Sequence, residues 1–276
     1  MGDYTTRRGC PAGGRPLTLK QEREDGATGR EQTLTDPAAA AEAAPEAKRE
    51  RRRAVRRLLR AEVVYLVAVA AFAVLALFAY RAPGFGWDVD VARAVQSVST
   101  PWLGVVLKDV SFFGSGVTPW ALAGVAFLAF LGFRRRSEAA ALILSAGGGQ
   151  LWNRLLKMLV DRPRPDAAIV RVGHEYTTES FPSGHVTFYV CFFGFLFFVA
   201  YALLRRGSFA RRAALALSAA PVLLVGPSRV YLGAHWPSDA LGAYLFSALW
   251  LALSLHLYRR WKARATFHAP QAAVEE

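Results

Sequence analysis

Cysteine and methionine are scarce in this chain of 276 residues, which carries two of each. Cys10 lies in a polar stretch and Cys191 inside an apolar run, so the two are not expected to pair and no disulfide framework is implied. Carboxylates are also in short supply: 21 Asp and Glu stand against 34 Lys and Arg, a formal net charge of +13. No cluster of acidic residues offers a magnesium site, so no metal or other cofactor is expected. No signal peptide is expected either, because the first long apolar run begins only near Glu62. Residues 1–50 have few large apolar side chains and are rich in Gly, Ala, Pro, Arg and Glu. They read as a disordered, basic, cytoplasmic tail ahead of a single domain over 51–276.

What the chain has in quantity is apolar sequence, 53% of residues, alongside 20% charged residues. High values of both imply segregation, with membrane spans separated by charged loops. Six apolar runs fit that pattern: Val63 to Tyr80, Pro119 to Phe133, Ala139 to Leu156, Val186 to Leu204, Ala213 to Leu232 and Ala240 to Tyr258. Several approach the roughly 20 residues a helix needs to cross a bilayer. Gly226-Pro227 should kink the fifth run or end its regular part. A basic amphipathic helix is expected over Glu46 to Ala61, and one or two interfacial helices over Asp88 to Gly116. The fold class is therefore an all-α integral membrane protein.

Basic residues cluster at Arg51 to Arg60, Arg134 to Arg136, Arg205 to Arg212 and Arg259 to Arg264, each beside an apolar run. With six crossings all four clusters fall on one side, which the excess of Lys and Arg in inner loops makes the cytoplasm. That placement suits anionic headgroups rather than nucleic acid, and no nucleic-acid partner is expected. Both termini would then be cytoplasmic, and the polar segments near Lys157, His185 and His235 would face outward.

Those segments hold ionisable groups where membrane proteins tolerate them least, which marks them as functional candidates. His235 and Asp239 are four residues apart and share a helix face if Pro237 opens a helix. Lys157, Arg164 and Arg229 bring cations to the same membrane face, where an anion between them relieves their repulsion. Arg162 reads as a supporting or loop residue. Ser183 and Gly184 precede His185 where a helix should start, and a hydroxyl with free backbone N–H groups makes an anion site there. Gln150 and Asn153, close to Gly147 to Gly149, read as close helix packing.

Three ordered motifs emerge: Lys157-x6-Arg164-Pro165, Pro182-Ser183-Gly184-His185, and Ser228-Arg229-x5-His235-x3-Asp239. In these the chain resembles the type 2 phosphatidic acid phosphatase (PAP2) family, which shares a helical core with vanadium haloperoxidases; the resemblance covers about residues 60 to 260. It implies a lipid phosphatase acting at the outer face on a polyprenyl diphosphate, phosphatidate or phosphatidylglycerol phosphate. His235 would be the nucleophile, forming a phosphohistidine, with Asp239 orienting it and His185 as general acid and base. Lys157, Arg164, Ser183, Gly184 and Arg229 would bind the phosphate. Its partners would be the lipid substrate and the bilayer, with no metal in the scheme. The competing expectations are a vanadate-dependent haloperoxidase and a degenerate family member acting as transporter or scaffold.

Overall fold

The computed structural model describes residues 62–267, apart from 83, 99 and 175. The expected tail and the helix expected over Glu46 to Ala61 lie outside these residues. Among the described residues every regular element is helical. They are α1 (Glu62–Arg81), α2 (Gly86–Ser97), α3 (Pro101–Phe112), α4 (Thr118–Gly132), α5 (Arg136–Leu142), α6 (Gly148–Val160), α7 (Gly184–Leu203), α8 (Phe209–Tyr231) and α9 (Pro237–Phe267). A π-helical turn, Ile143–Gly147, joins α5 to α6.

Among the described residues four helices are long and apolar enough to cross a membrane: α1, α7, α8 and α9 as far as Arg264. The chain is thus a multi-pass membrane protein, with α4 a shorter apolar helix. The core forms where α7 packs on α8 and α9, around Val186, Tyr189, Phe195, Val225 and Ala243. Outer surfaces of α1 and α4 remain apolar, as with Leu66, Val67, Trp120 and Leu128, which suits lipid contact and needs no protein partner.

Two local features depart from simple helix rules. The π-turn frees backbone carbonyls, and Trp250 Nε1 donates to those of Leu144 and Ser145 at 3.1 Å each. Gly226-Pro227 does not end α8, which runs through both Pro221 and Pro227. The Tyr244 hydroxyl accepts from Gly226 N–H at 3.0 Å and donates to Val222 O at 2.5 Å, bridging the ladder beside Pro227.

The ends of these helices place the site. Asp161 caps α6 in the left-handed region, and Pro163 and Pro165 then keep the chain extended. Pro237 opens α9, where its missing N–H costs nothing, and Asp239 in the first turn accepts from Trp236 N–H at 2.9 Å. Between α8 and α9 the chain turns at Gly233, whose φ is +65°. A Cβ there would lie 1.9 Å from Arg171 O, so glycine is required both by conformation and by the crossing strand of loop.

Candidate active site

The sequence-predicted residues converge on one polar cluster near the start of α7 and α9. His235, just before α9, is almost wholly buried. Its Nε2 lies 3.4 Å from Arg164 NH1, and Arg164 also donates to Ala234 O and Thr178 O at 2.7 Å each. Burial, then the nearby Arg164, Lys157 and Arg229, hold the His235 imidazole well below its ordinary pKa. The ring is therefore neutral at pH 7, with a lone pair available.

Arg229 sits in the last turn of α8, buried, and donates to Ser111 Oγ and, at 3.0 Å, to Tyr176 OH. The Tyr176 ring also lies 4.4 Å from the Arg164 guanidinium, so one tyrosine touches both arginines. Burial and Arg229 lower the Arg164 pKa to about 10, which leaves it charged at neutral pH. Lys157 Nζ donates to the carbonyls of Glu179 and, at 3.3 Å, Ser180. Among the described residues, Lys157, Arg164 and Arg229 pair with no carboxylate. Their partners are neutral hydroxyls and carbonyls, which leaves net positive charge at the centre of the cluster.

His185, in the first turn of α7, approaches from the other side. Ser115 Oγ donates to Ser111 O at 3.0 Å and so accepts from His185 Nε2, also at 3.0 Å. Gly114 makes room for this ring, since a Cβ there would lie 2.5 Å from His185 Cδ2. Ser183 precedes α7 as its N-cap, yet its side chain makes no capping bond; the hydroxyl is buried and has no hydrogen-bond partner among the described residues. Gly184 is held from behind, its carbonyl accepting from Gln150 at 2.9 Å while Asn153 donates to Pro182 O and Thr187 Oγ1. Gln150 and Asn153 therefore do more than pack helices: they fix the second motif.

Arg162 and Arg164, two residues apart, have opposite environments. Arg162 is fully buried and bridges Asp239 Oδ1 at 2.6 Å and Asp88 Oδ2 at 2.8 Å. Asp88 in turn accepts from Ser238 N–H at 2.8 Å and Ser238 Oγ at 2.7 Å. Among the described residues no group of three His, Cys, Asp or Glu side chains is placed to hold a metal ion.

The sequence model of the PAP2 superfamily matches residues 138–263. Phosphatidylglycerophosphatase B of Bacillus subtilis is 28% identical over 165 residues, which span 59% of this chain and 78% of that protein. The decaprenylphosphoryl-5-phosphoribose phosphatase of Mycobacterium tuberculosis is 35% identical over 175 residues, 56% of this chain and 85% of that protein. This chain belongs to the PAP2 superfamily. The crystal structure of a transmembrane PAP2 type phosphatidylglycerolphosphate phosphatase from Bacillus subtilis has the same fold. It superposes with a TM-score of 0.59 at 24% identity, covering 71% of this chain and 96% of that one.

Within this PAP2 chain several site groups escaped the sequence reading. Asp88, Ser111 and Ser115 come from α2, α3 and the turn after α3, all ahead of residue 138. Ser180 lies two residues before Pro182. Asp88 announced itself only as one acid in an amphipathic stretch, and the serines carried no signal in spacing.

Proposed function

We propose that this PAP2 protein hydrolyses the terminal phosphate or diphosphate of a membrane lipid through a phosphohistidine on His235. One observation carries the reading: a buried, neutral imidazole lies among Lys157, Arg164 and Arg229, none of which forms an ion pair with a carboxylate among the described residues. A phosphate supplies the missing negative charge. Its oxygens would be held by the three cations, the unpartnered Ser183 hydroxyl and the N–H groups opening α7.

His235 Nε2 attacks phosphorus while the bond to the lipid oxygen breaks, and His185 gives that oxygen a proton. Water then attacks the phosphohistidine, His185 takes its proton, and the P–N bond breaks to release phosphate. No metal enters either step. The cations already present neutralise the developing charge on phosphorus oxygens.

A mainly apolar groove of about 450 Å³ ends on His185 and Gly184 and runs between Trp120, Phe127, Leu142 and Ile143. It suits the lipid chain of such a substrate. The relatives named as phosphatases of lipids support the same class, and the location supports a carrier lipid ahead of phosphatidate. In the six-span arrangement α5 and α6 together make the third crossing, and chemistry occurs at the outer face.

Phosphate release by the purified protein from polyprenyl diphosphate, phosphatidate and phosphatidylglycerol phosphate, with EDTA present, is the test. Activity on at least one, inhibited by vanadate, is expected. Complete loss in EDTA with recovery on added magnesium would overturn the metal-free mechanism, and halide oxidation that requires vanadate would favour a peroxidase. Cysteines placed in 166–181 should react with an impermeant reagent in spheroplasts while one near Arg135 should not; the reverse pattern would refute the outward site.

A further inference from the structure

Asp239 does not reach His235 directly. Its Oδ2 lies 3.7 Å from His235 Nδ1, too far for a hydrogen bond, and both carboxylate oxygens are otherwise engaged. Oδ1 accepts from Arg162 at 2.6 Å, and Oδ2 accepts from Trp236 N–H at 2.9 Å and from the Ser180 hydroxyl. Ser180 is fully buried, and its Oγ lies 3.5 Å from His235 Nδ1. Having given its own proton to Asp239, that oxygen is left only to accept, and it faces Nδ1–H together with the Ser180 backbone, which is also hydrogen-bonded to the ring.

We propose that Ser180 is a positioning residue of the nucleophile, transmitting the charge of Asp239 to His235 Nδ1, while Arg162 and Asp88 hold the carboxylate in place. The inference rests on His235 being the nucleophile. Its chemistry follows from the tautomer. A proton kept on Nδ1 leaves the Nε2 lone pair directed past Arg164, where phosphorus would sit. When Nε2 bonds to phosphorus the ring gains positive charge, and the oriented hydroxyl with the carboxylate behind it stabilises that charge. A neutral link instead of a direct ion pair also agrees with an imidazole that remains uncharged at rest.

The backbone of Ser180 also holds its neighbours, and a side-chain substitution leaves those bonds in place. Its N–H donates to Arg162 O at 2.7 Å, and its carbonyl accepts from Lys157 at 3.3 Å and from the His235 imidazole. Ser180→Ala keeps these backbone bonds and removes only the hydroxyl that joins His235 to Asp239. Steady-state phosphate release should show kcat lowered roughly 10- to 100-fold, the range for groups that orient a reacting histidine, with KM within about twofold of the parent. Ser180→Thr should recover most of kcat. Asp239→Asn should cost less in the Ser180→Ala background than in the parent, because both changes break one chain.

A kcat for Ser180→Ala within about twofold of the parent, or costs of Ser180→Ala and Asp239→Asn that simply add, would overturn the link. Should Ser180→Ala fail to fold, Ser180→Cys takes its place; it has similar shape and a weaker acceptor, and undiminished kcat in it would have the same force. His235→Ala separates the two claims. If it is inactive while Ser180→Ala is normal, only the link fails; if it is active, the nucleophile reading fails and the link with it.

Discussion

Two polar clusters sit 23 residues apart on α9, about 35 Å along the helix axis. Near the far end, the buried carboxylate of Glu138 accepts from Lys262 at 2.6 Å, Tyr258 at 3.0 Å, Ser137 at 2.7 Å and Arg135 at 3.4 Å. There the carboxylate of Glu138 is shared by two cations, Arg135 and Lys262, and the cluster braces α5 against α9. Near the first turn the balance is different. Arg162 is matched by Asp88 and Asp239, but Lys157, Arg164 and Arg229 crowd together on neutral partners. A compensated cluster stabilises the fold; an uncompensated one suits an anion. On the proposed function, repulsion among the three cations costs stability in the empty protein and would be relieved by a bound phosphate.

The sharpest way to break this comparison is to remove the group that the cations surround. His235→Ala should lower kcat by about three orders of magnitude or more with folding retained, as expected for loss of a covalent nucleophile. Retention of more than about a tenth of parent activity would show that the cluster serves some other purpose.

Next comes the uncompensated charge itself. Arg229→Met should reduce kcat/KM by roughly 10²–10³, comparable to loss of one transition-state donor, while leaving thermal stability equal or raised, because one source of repulsion is gone. Marked destabilisation with normal kcat/KM would place Arg229 with the structural braces.

The pH profile should show a smaller effect. As the proposed nucleophile His235 would have to be neutral to attack, and its pKa is lowered by burial and by Arg164, Lys157 and Arg229. Activity should therefore persist as pH falls through the ordinary histidine range and decline only below it. An acid limb of kcat/KM above pH 6.5, the ordinary histidine value, would contradict the buried neutral imidazole.

The smallest effect on catalysis belongs to the compensated end. Glu138→Gln should change kcat/KM by no more than about twofold. It should lower stability by about 1–3 kcal/mol, since Lys262 and Tyr258 lose a charged acceptor. A large catalytic loss with unchanged melting would mean the two clusters are coupled along α9.

The helices were legible because apolar runs of suitable length have few alternatives. Runs expected over Val63 to Tyr80 and Val186 to Leu204 differ from α1 and α7 by at most two residues at either end. The stretch Asp88 to Gly116, expected to hold one or two helices, contains α3 and all but the first two residues of α2. Of the two outcomes expected at Gly226-Pro227, a kink or an end, the end does not occur: α8 continues there, and Tyr244, eighteen residues after Gly226, supplies a bridging hydroxyl. The sixth apolar run, that of α9, stops at Tyr258. The helix runs on to Phe267, with Lys262 reaching back to Glu138 from this polar extension.

By itself the sequence determined which segments are apolar enough to enter a membrane and which chemical groups lie between them: two histidines, three cations, and the small residues Ser183 and Gly184. Composition and spacing along the chain are enough for that. Only the tertiary structure decided which of those charges is cancelled. Arg162 and Arg164 occupy the same local context, each before a proline in one extended segment. Asp88, 74 residues earlier, and Asp239, 77 residues later, close on Arg162 alone. Coulomb energy depends on distance in space and on exclusion of water, and neither is encoded in the order of residues. The fold thus spends one arginine on holding Asp239 and leaves the other charged beside His235.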